Sequence, residues 1–244
     1  MTDRVTSMLL VALIAATAFA GPPVNGGFGC FGPTVGLGDF SGLNDAFHAA
    51  DSGFGKLGSL HWGFGGAGYA VVNRVVIGGA GWGGSQTVGS DKLRASVEVA
   101  GGEFDLGYQV LSLQHLLIAP VLGIGGGGYT IELQKLSGAP LTFDSLLVNP
   151  GHTCKVSFSS LTLSPQLMVT VPISFVGLQL RGGYCYSPTN PEWELENGGK
   201  LASGPTIAKG MPFVTLNVVF GGFEGGKRKK VKVKQVEKED SDQE

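Results

Sequence analysis

Two hexapeptides in this chain have the spacing of a phosphate cradle. Gly63–Gly68 reads "GFGGAG" and Gly123–Gly128 reads "GIGGGG", and both fit G-x-G-x-x-G. In a dinucleotide fold, that spacing presents backbone amides to a pyrophosphate at the mouth of a helix. The fingerprint therefore needs a helix opening at its last glycine and an acidic residue about 20 positions further on. Here Gly68 is followed by "YAVVNRVVIGG" and Gly128 by "YTIELQ", both of them strand-like runs. Neither site opens a helix, and no nucleotide or other cofactor is expected. Ser59 and His61 form a second candidate, because residues two apart share a strand face and a Ser/His pair can activate a hydroxyl nucleophile. No acidic orienter stands at a recognisable spacing from them. His152-x-Cys154 brings two ligating residue types where a zinc site takes three or four, so no metal is expected. Cys30, Cys154 and Cys185 are too few and too scattered for a disulfide framework, and their pairing stays open.

The polar residues carry more information as a set. In "VSFSSLTLSPQLMVTV", Leu161, Leu163, Pro165, Leu167, Val169 and Val171 alternate with Thr162, Ser164, Gln166, Met168 and Thr170. Period-2 alternation over more than ten residues marks a long strand with one apolar and one polar face. "GLQLRGGYCY" places Gln179 and Arg181 opposite Leu178 and Leu180, and "FVTLNVVF" places Thr215 and Asn217 opposite Val214 and Leu216. In "LRASVEVAGGEFDLGYQV", Arg94, Ser96 and Glu98 share one phase, whereas Glu103, Asp105 and Gln109 share the other. A one-residue β-bulge at Gly101-Gly102 would return all of these charges to one side, and we expect one there. The polar face then comprises Arg94, Glu98, Glu103, Asp105, Glu132, Gln166, Arg181 and Asn217. If the sheet closes, these residues face a narrow lumen, where an unpaired charge is costly. They are expected to form a packed ion-pair and hydrogen-bond network. A conduit for small solutes is the sharper alternative.

Eight such strands can be placed, at about 28–38, 58–71, 75–84, 93–110, 116–133, 155–171, 177–186 and 211–220. Their connections alternate between long (39–57, 85–92, 134–154, 187–210) and short (72–74, 111–115, 172–176). Strands of about ten residues, even in number, with tight turns on one rim and long loops on the other, describe a transmembrane barrel of the bacterial outer membrane. The fold class is thus all-β: an eight-stranded antiparallel up-and-down transmembrane β-barrel. The first long loop adds a short helix, because Leu43, Ala46, Phe47 and Ala50 fall at helical spacing. Ser41 is its expected N-cap and Gly53 helps to end it.

Composition agrees. Glycine supplies 42 of 244 residues and charged residues only 15%, against about 25% charged in soluble domains. In a small barrel, glycine permits bends and makes room where long side chains reach inward. Trp62, Tyr69, Trp82, Tyr108, Tyr129 and Tyr184 lie near strand ends and are expected to form the two interfacial girdles. At the N-terminus, Arg4, the apolar run from Met8 and Ala18-Phe19-Ala20 have the order of a secretory signal, assigned to residues 1–20. The barrel is assigned to 21–222. The remainder, 223–244, is a charged tail, basic and then acidic, expected to be disordered and to meet at most a periplasmic partner. Nucleic acid is not expected.

The hairpin motifs "GGxG…R-x-x-I-G-G" (Gly65–Gly68 with Arg74–Gly79), "LRGGYCYSP" (Leu180–Pro188) and "MPFVTLNVVFGG" (Met211–Gly222) resemble those of small, glycine-rich bacterial outer-membrane barrels of unassigned function. The resemblance implies an outer-membrane location, contact with outer-membrane lipid, and insertion by the barrel-assembly machinery. It also implies that Phe220, the aromatic closing the last strand, is the insertion signal, although this chain continues beyond it. The functional expectation is a non-enzymatic structural or surface-exposed barrel with at most a narrow polar lumen. The alternatives are a secreted soluble barrel that binds a small apolar ligand, and a lipid-modifying enzyme using Ser59 and His61.

Overall fold

The "NR" between two valine runs forms a two-residue turn. Asn73 and Arg74 both have positive φ, 48° and 75°, as a two-residue type I′ hairpin demands. The flanking strands pair from Val72↔Val75 outward to Gly63↔Gly84, so the first glycine fingerprint lies within a strand. The second, at 123–128, also lies within a strand. A computed structural model describes residues 24–113, 116–136, 153–189, 192–202 and 204–225. The expected signal segment, most of the expected tail and His152 lie outside the described residues.

The elements are β1 (Val24–Leu37), α1 (Ser41–Ala50), β2 (Leu60–Val72), β3 (Val75–Gly89), β4 (Leu93–Tyr108), β5 (Leu111–Leu113), β6 (Leu116–Lys135), β7 (Thr153–Ile173), β8 (Val176–Tyr186), β9 (Glu194–Leu195) and β10 (Gly210–Gly225). Each long strand pairs antiparallel with its neighbours in sequence, and β1 pairs with β10 from Val24↔Gly225 to Gly36↔Phe213. The result is a closed eight-stranded meander, with β5 the short continuation of β4 and β9 a two-residue strap on β7. The tight turns at 73–74 and 174–175 share one rim with the strand ends Val24 and Gly225.

Three sequence expectations change. The β3–β4 ladder runs in one register from Val75↔Tyr108 to Gly89↔Arg94, so no bulge interrupts it at Gly101-Gly102. For the same reason, the outer connection expected at 85–92 shrinks to Ser90–Lys92. The helix is present, but Phe40 occupies the N-cap position, and Asp39 Oδ1 accepts from the Ser41 amide at 2.9 Å. Ser41 is the first helical residue and does not cap. Leu43 and Phe47 are buried, whereas Ala46 and Ala50 are exposed.

On the seam between the first and last strands, Gly32 leaves no room for a side chain. A Cβ there would stand 1.9 Å from the Leu216 carbonyl oxygen, so any side chain forces β1 and β10 apart. Gly68 lies on the outer face, and a Cβ there would have nothing within 4 Å. Gly32→Val is expected to destabilise the barrel by about 1–3 kcal/mol, read as a lower temperature for loss of the compact, heat-modifiable form on a denaturing gel. Gly68→Ala should leave that temperature unchanged.

Candidate functional site

The strand period decides which side chains enter the bore. On β4 the odd-numbered residues point inward along its whole length and the even-numbered ones outward. Glu103 and Asp105 are therefore inside, whereas Arg94 and Glu98 are exposed on the outer surface. Glu132 on β6 is exposed as well, and its cross-strand neighbours are Ser96 and Lys155. These three residues do not belong to the lumen. They lie on the outer part of β4 and β6, where the barrel face carries Ser96, Thr130 and Ser157 rather than leucine.

The other five expected lumen residues do come together. Arg181, with only 5% of its side chain exposed, donates from Nη2 to Glu103 Oε1 at 3.3 Å. Its Nη1 lies 3.5 Å from Asp105 Oδ2. The same Nη1 donates to the Tyr69 hydroxyl, which donates onward to Asp105 Oδ2 at 2.6 Å. Gln166 Nε2 donates to Glu103 Oε1 and to Asp105 Oδ1, both at 3.0 Å. Beside this cluster, Asn217 donates to Gln179 Oε1 at 2.9 Å, Gln179 donates to Thr170 at 3.2 Å, and the Cys30 thiol donates to Gln179 at 3.3 Å. Thr34 and Thr215 close the β1–β10 seam with a hydroxyl pair at 3.0 Å.

Glycines make room for these groups. A Cβ on Gly123 would stand 2.4 Å from Glu103 Oε2, and one on Gly78 would stand 2.3 Å from the Tyr69 ring. A Cβ on Gly183 would stand 2.6 Å from the Cβ of Gln166. The fingerprint glycine Gly123 is thus a space for carboxylates of the chain itself, not for a phosphate.

Apolar clusters bracket the polar middle. Toward the tight-turn rim, Phe28, Val71, Val76, Leu117, Met168 and Val219 are buried together. At the outer mouth, Leu43 and Phe47 of α1 pack with Phe40, Phe54 and Leu57 against Ala95, Val97, Val99 and Ile131. Asn44 ties this plug to Leu57 by two hydrogen bonds, at 2.8 and 3.1 Å. Asp51 ties it to the β3–β4 turn by accepting from Ser90 Oγ at 2.7 Å.

The aromatic girdle expectation divides. Trp62, Tyr108 and Tyr184 are exposed on the outer surface. Tyr69, Trp82 and Tyr129 point inward: Tyr69 into the ion-pair cluster, and Trp82 and Tyr129 into the apolar mouth. An aromatic after paired glycines fills the space those glycines leave, so its place near a strand end did not settle its side. Ser59 is exposed while His61 is buried, with Nδ1 3.4 Å from Gln86 Nε2 and its ring beside Phe40. The two are not hydrogen-bonded, and the described residues give His61 no carboxylate partner. Cys154 is an exposed free thiol, and Cys30 and Cys185 are also unpaired. Among the described residues, no group of His, Cys, Asp and Glu side chains could hold a metal ion.

Outside, the pattern inverts that of a soluble protein. Phe31, Phe64, Phe104, Leu106, Leu122, Ile124, Leu167, Leu180, Leu216 and Phe220 stand in the open, with Phe64 71% exposed. An apolar belt of this extent around a polar interior is built for hydrocarbon. A closed antiparallel meander with that polarity is the architecture of bacterial outer-membrane barrels.

No protein-family model matches the sequence, and no curated protein aligns with it. Among solved structures, the chain is similar in shape to Ail, the attachment invasion locus protein of Yersinia pestis. The identity is 10%, 83% of this chain and 100% of that one are covered, and the TM-score is 0.45. It is also similar to a major outer membrane protein of Thermus thermophilus, with 10% identity, 80% and 99% covered, and a TM-score of 0.46.

Two outcomes follow, one in the interior and one at the mouth. Arg181→Leu leaves Glu103 and Asp105 buried without their cation, an expected loss of about 3–5 kcal/mol seen as a lower heat-shift temperature on the gel. The triple variant Arg181→Leu, Glu103→Gln, Asp105→Asn should recover part of that loss. At the mouth, amide and hydroxyl donors from Gly53 and Ser90 hold the Asp51 carboxyl below its usual range. A depressed native pKa contributes stability above the ordinary aspartate range and loses it as pH falls through the native value. Hydrogen-exchange protection factors at Gly53–Gly55 and Ser90–Leu93, each referred to the intrinsic rate at the same pH, should thus fall in acid in the wild type and be already low at neutral pH in Asp51→Ala.

Proposed function

We propose that this protein is a non-enzymatic integral barrel of the bacterial outer membrane. Its membrane section is a sealed scaffold, and its working surface is the outer mouth. The observation that carries this reading is the filling of the bore. The Arg181–Glu103–Asp105–Gln166 cluster crosses the middle, the Val71–Val76–Leu117–Val219 cluster closes one end, and α1 covers the other. An eight-stranded bore is only wide enough for its own side chains, which argues against the solute conduit.

The alternatives fare worse. A soluble barrel that binds an apolar ligand in its centre would need its apolar face inward over its whole height, whereas the belt faces out. An enzyme relying on Ser59 and His61 would need them in contact. Phe220 stands outward on the last strand, stacked on Phe31 with ring centroids 6.0 Å apart, where insertion machinery can read it from the lipid side. β10 continues to Gly225, opposite Val24 and on the rim of the tight turns, which supports a periplasmic location for the charged tail. Outer-membrane lipid and the insertion machinery are therefore its general partners.

Purified protein in planar bilayers should give no stepwise conductance, and in washed cells it should leave the membrane only with detergent. Discrete wild-type channel openings would overturn the sealed scaffold. Soluble release without detergent would overturn the bilayer reading altogether.

A further inference from the structure

The barrel wall is uneven in height. β7 pairs with β8 only as far out as Leu163↔Tyr186 and meets β9 again at Val156 and Ser157. Between those points, residues 158–162 have no ladder partner on that side among the described residues. Behind this unladdered stretch lies a cavity of about 470 Å³, within the range of roughly 300–1,000 Å³ typical of small-molecule sites. Trp82, Tyr129, Phe158 and Trp193 wall it. Tyr129 stacks on Phe158 at 5.1 Å, and Phe158 meets Trp193 edge-on at 4.7 Å.

Its floor is set by Thr162 and Cys185. The outward neighbours of those residues, Leu161, Tyr184 and Tyr186, are exposed apolar groups at the outer end of the lipid belt. The cavity floor is thus level with the outer margin of the bilayer. Glu192 and Lys209 also line it, and Lys209 stands two residues before Met211, the cross-strand partner of Cys185. The Glu192 carboxylate is paired with Lys200, while Lys209 has no carboxylate partner among the described residues.

We propose that this cavity binds a single-chain amphiphile with an anionic head. The acyl chain lies against the aromatic walls, where it covers apolar surface that otherwise faces water in the mouth. The head sits beside Lys209. Such a molecule can arrive from the outer leaflet through the unladdered wall or from solution through the mouth, and the chemistry of the site is the same for both. This function is separate from the sealed scaffold, since the cavity lies outside the ion-pair cluster.

The full mature chain carrying Trp62→Phe, which removes the outward-facing indole, is reconstituted in phosphatidylcholine vesicles. One arm adds 12-bromododecanoate from water. The other preloads the bilayer with a bromine-labelled lysophosphatidylglycerol. Saturable quenching of tryptophan fluorescence, with slower alkylation of Cys185 in a peptide-mapped maleimide assay, is expected. The arm that shows it identifies the source. Lys209→Gln should weaken binding by about fivefold, the scale of a surface ion pair. Ser160→Phe, at the cavity wall, should abolish saturation while the heat-shift persists. Quenching that rises linearly in both arms and leaves Cys185 unprotected would overturn the proposal. Equal affinity for a bromine-labelled alkyl maltoside, unaffected by Lys209→Gln, would overturn the anionic head.

Discussion

Hydrocarbon offers no partner to a backbone amide or carbonyl, so a sheet that enters it must close on itself. The β1–β10 seam answers that requirement, and much of the molecule can be derived from it. Closure with only eight strands makes a narrow, strongly curved cylinder. At Gly32 the two seam strands approach so closely that a Cβ would meet the Leu216 carbonyl at 1.9 Å. Glycine at this point serves closure, and its value lies in the absent side chain rather than in any special φ.

Closure also determines what the interior can be. A bore this narrow cannot remain a water column lined with charges. Its side chains either fill it or leave buried polar groups unpaired, at a cost of several kcal/mol each. The chain fills it in layers: apolar at the tight-turn end, polar and ionic in the middle, apolar again beneath α1. The long polar residues occupy the layer where Gly78, Gly123 and Gly183 provide space. Glycine on one strand and a long polar side chain on the next therefore form a single packing unit, and the abundance of glycine follows from the size of the network.

Strand number, the meander, the helix over the mouth and five of the eight lumen residues were legible in the sequence, because period-2 alternation and turn chemistry are local signals. What was not legible depends on height along the barrel. Arg94 and Glu98 are out of phase with Glu103 and Asp105, and a bulge was the natural way to reconcile them on one face. The strand has no bulge. What changes is the set of residues on each face. On the Gly102–Tyr108 side the outward residues are Phe104, Leu106 and Tyr108 and the inward ones polar, whereas on the Leu93–Ala100 side the outward residues are Arg94, Ser96 and Glu98 and the inward ones pack in an apolar plug. Alternation reports which residues share a face. It does not report what that face touches, and the same ambiguity sent Tyr69, Trp82 and Tyr129 to the wrong side.

That inversion along β4 also bears on where the protein meets its surroundings. Strands β3, β4, β6 and β7 run outward past the level at which β8 stops, so the outer third of the molecule is a half-wall with its own small apolar core. A membrane section with Leu, Val and Phe outside and an ion cluster inside offers little that a partner could distinguish. The half-wall differs in kind. It carries Arg94, Glu98, Glu132 and Lys155 on its water face, an aromatic-walled cavity behind it, and an edge of β7 that no strand covers among the described residues. Backbone donors and acceptors on such an edge are satisfied by water as long as it stays outside the hydrocarbon. This is why the ladder can stop at Leu163↔Tyr186 without violating the rule that closed the rest of the barrel.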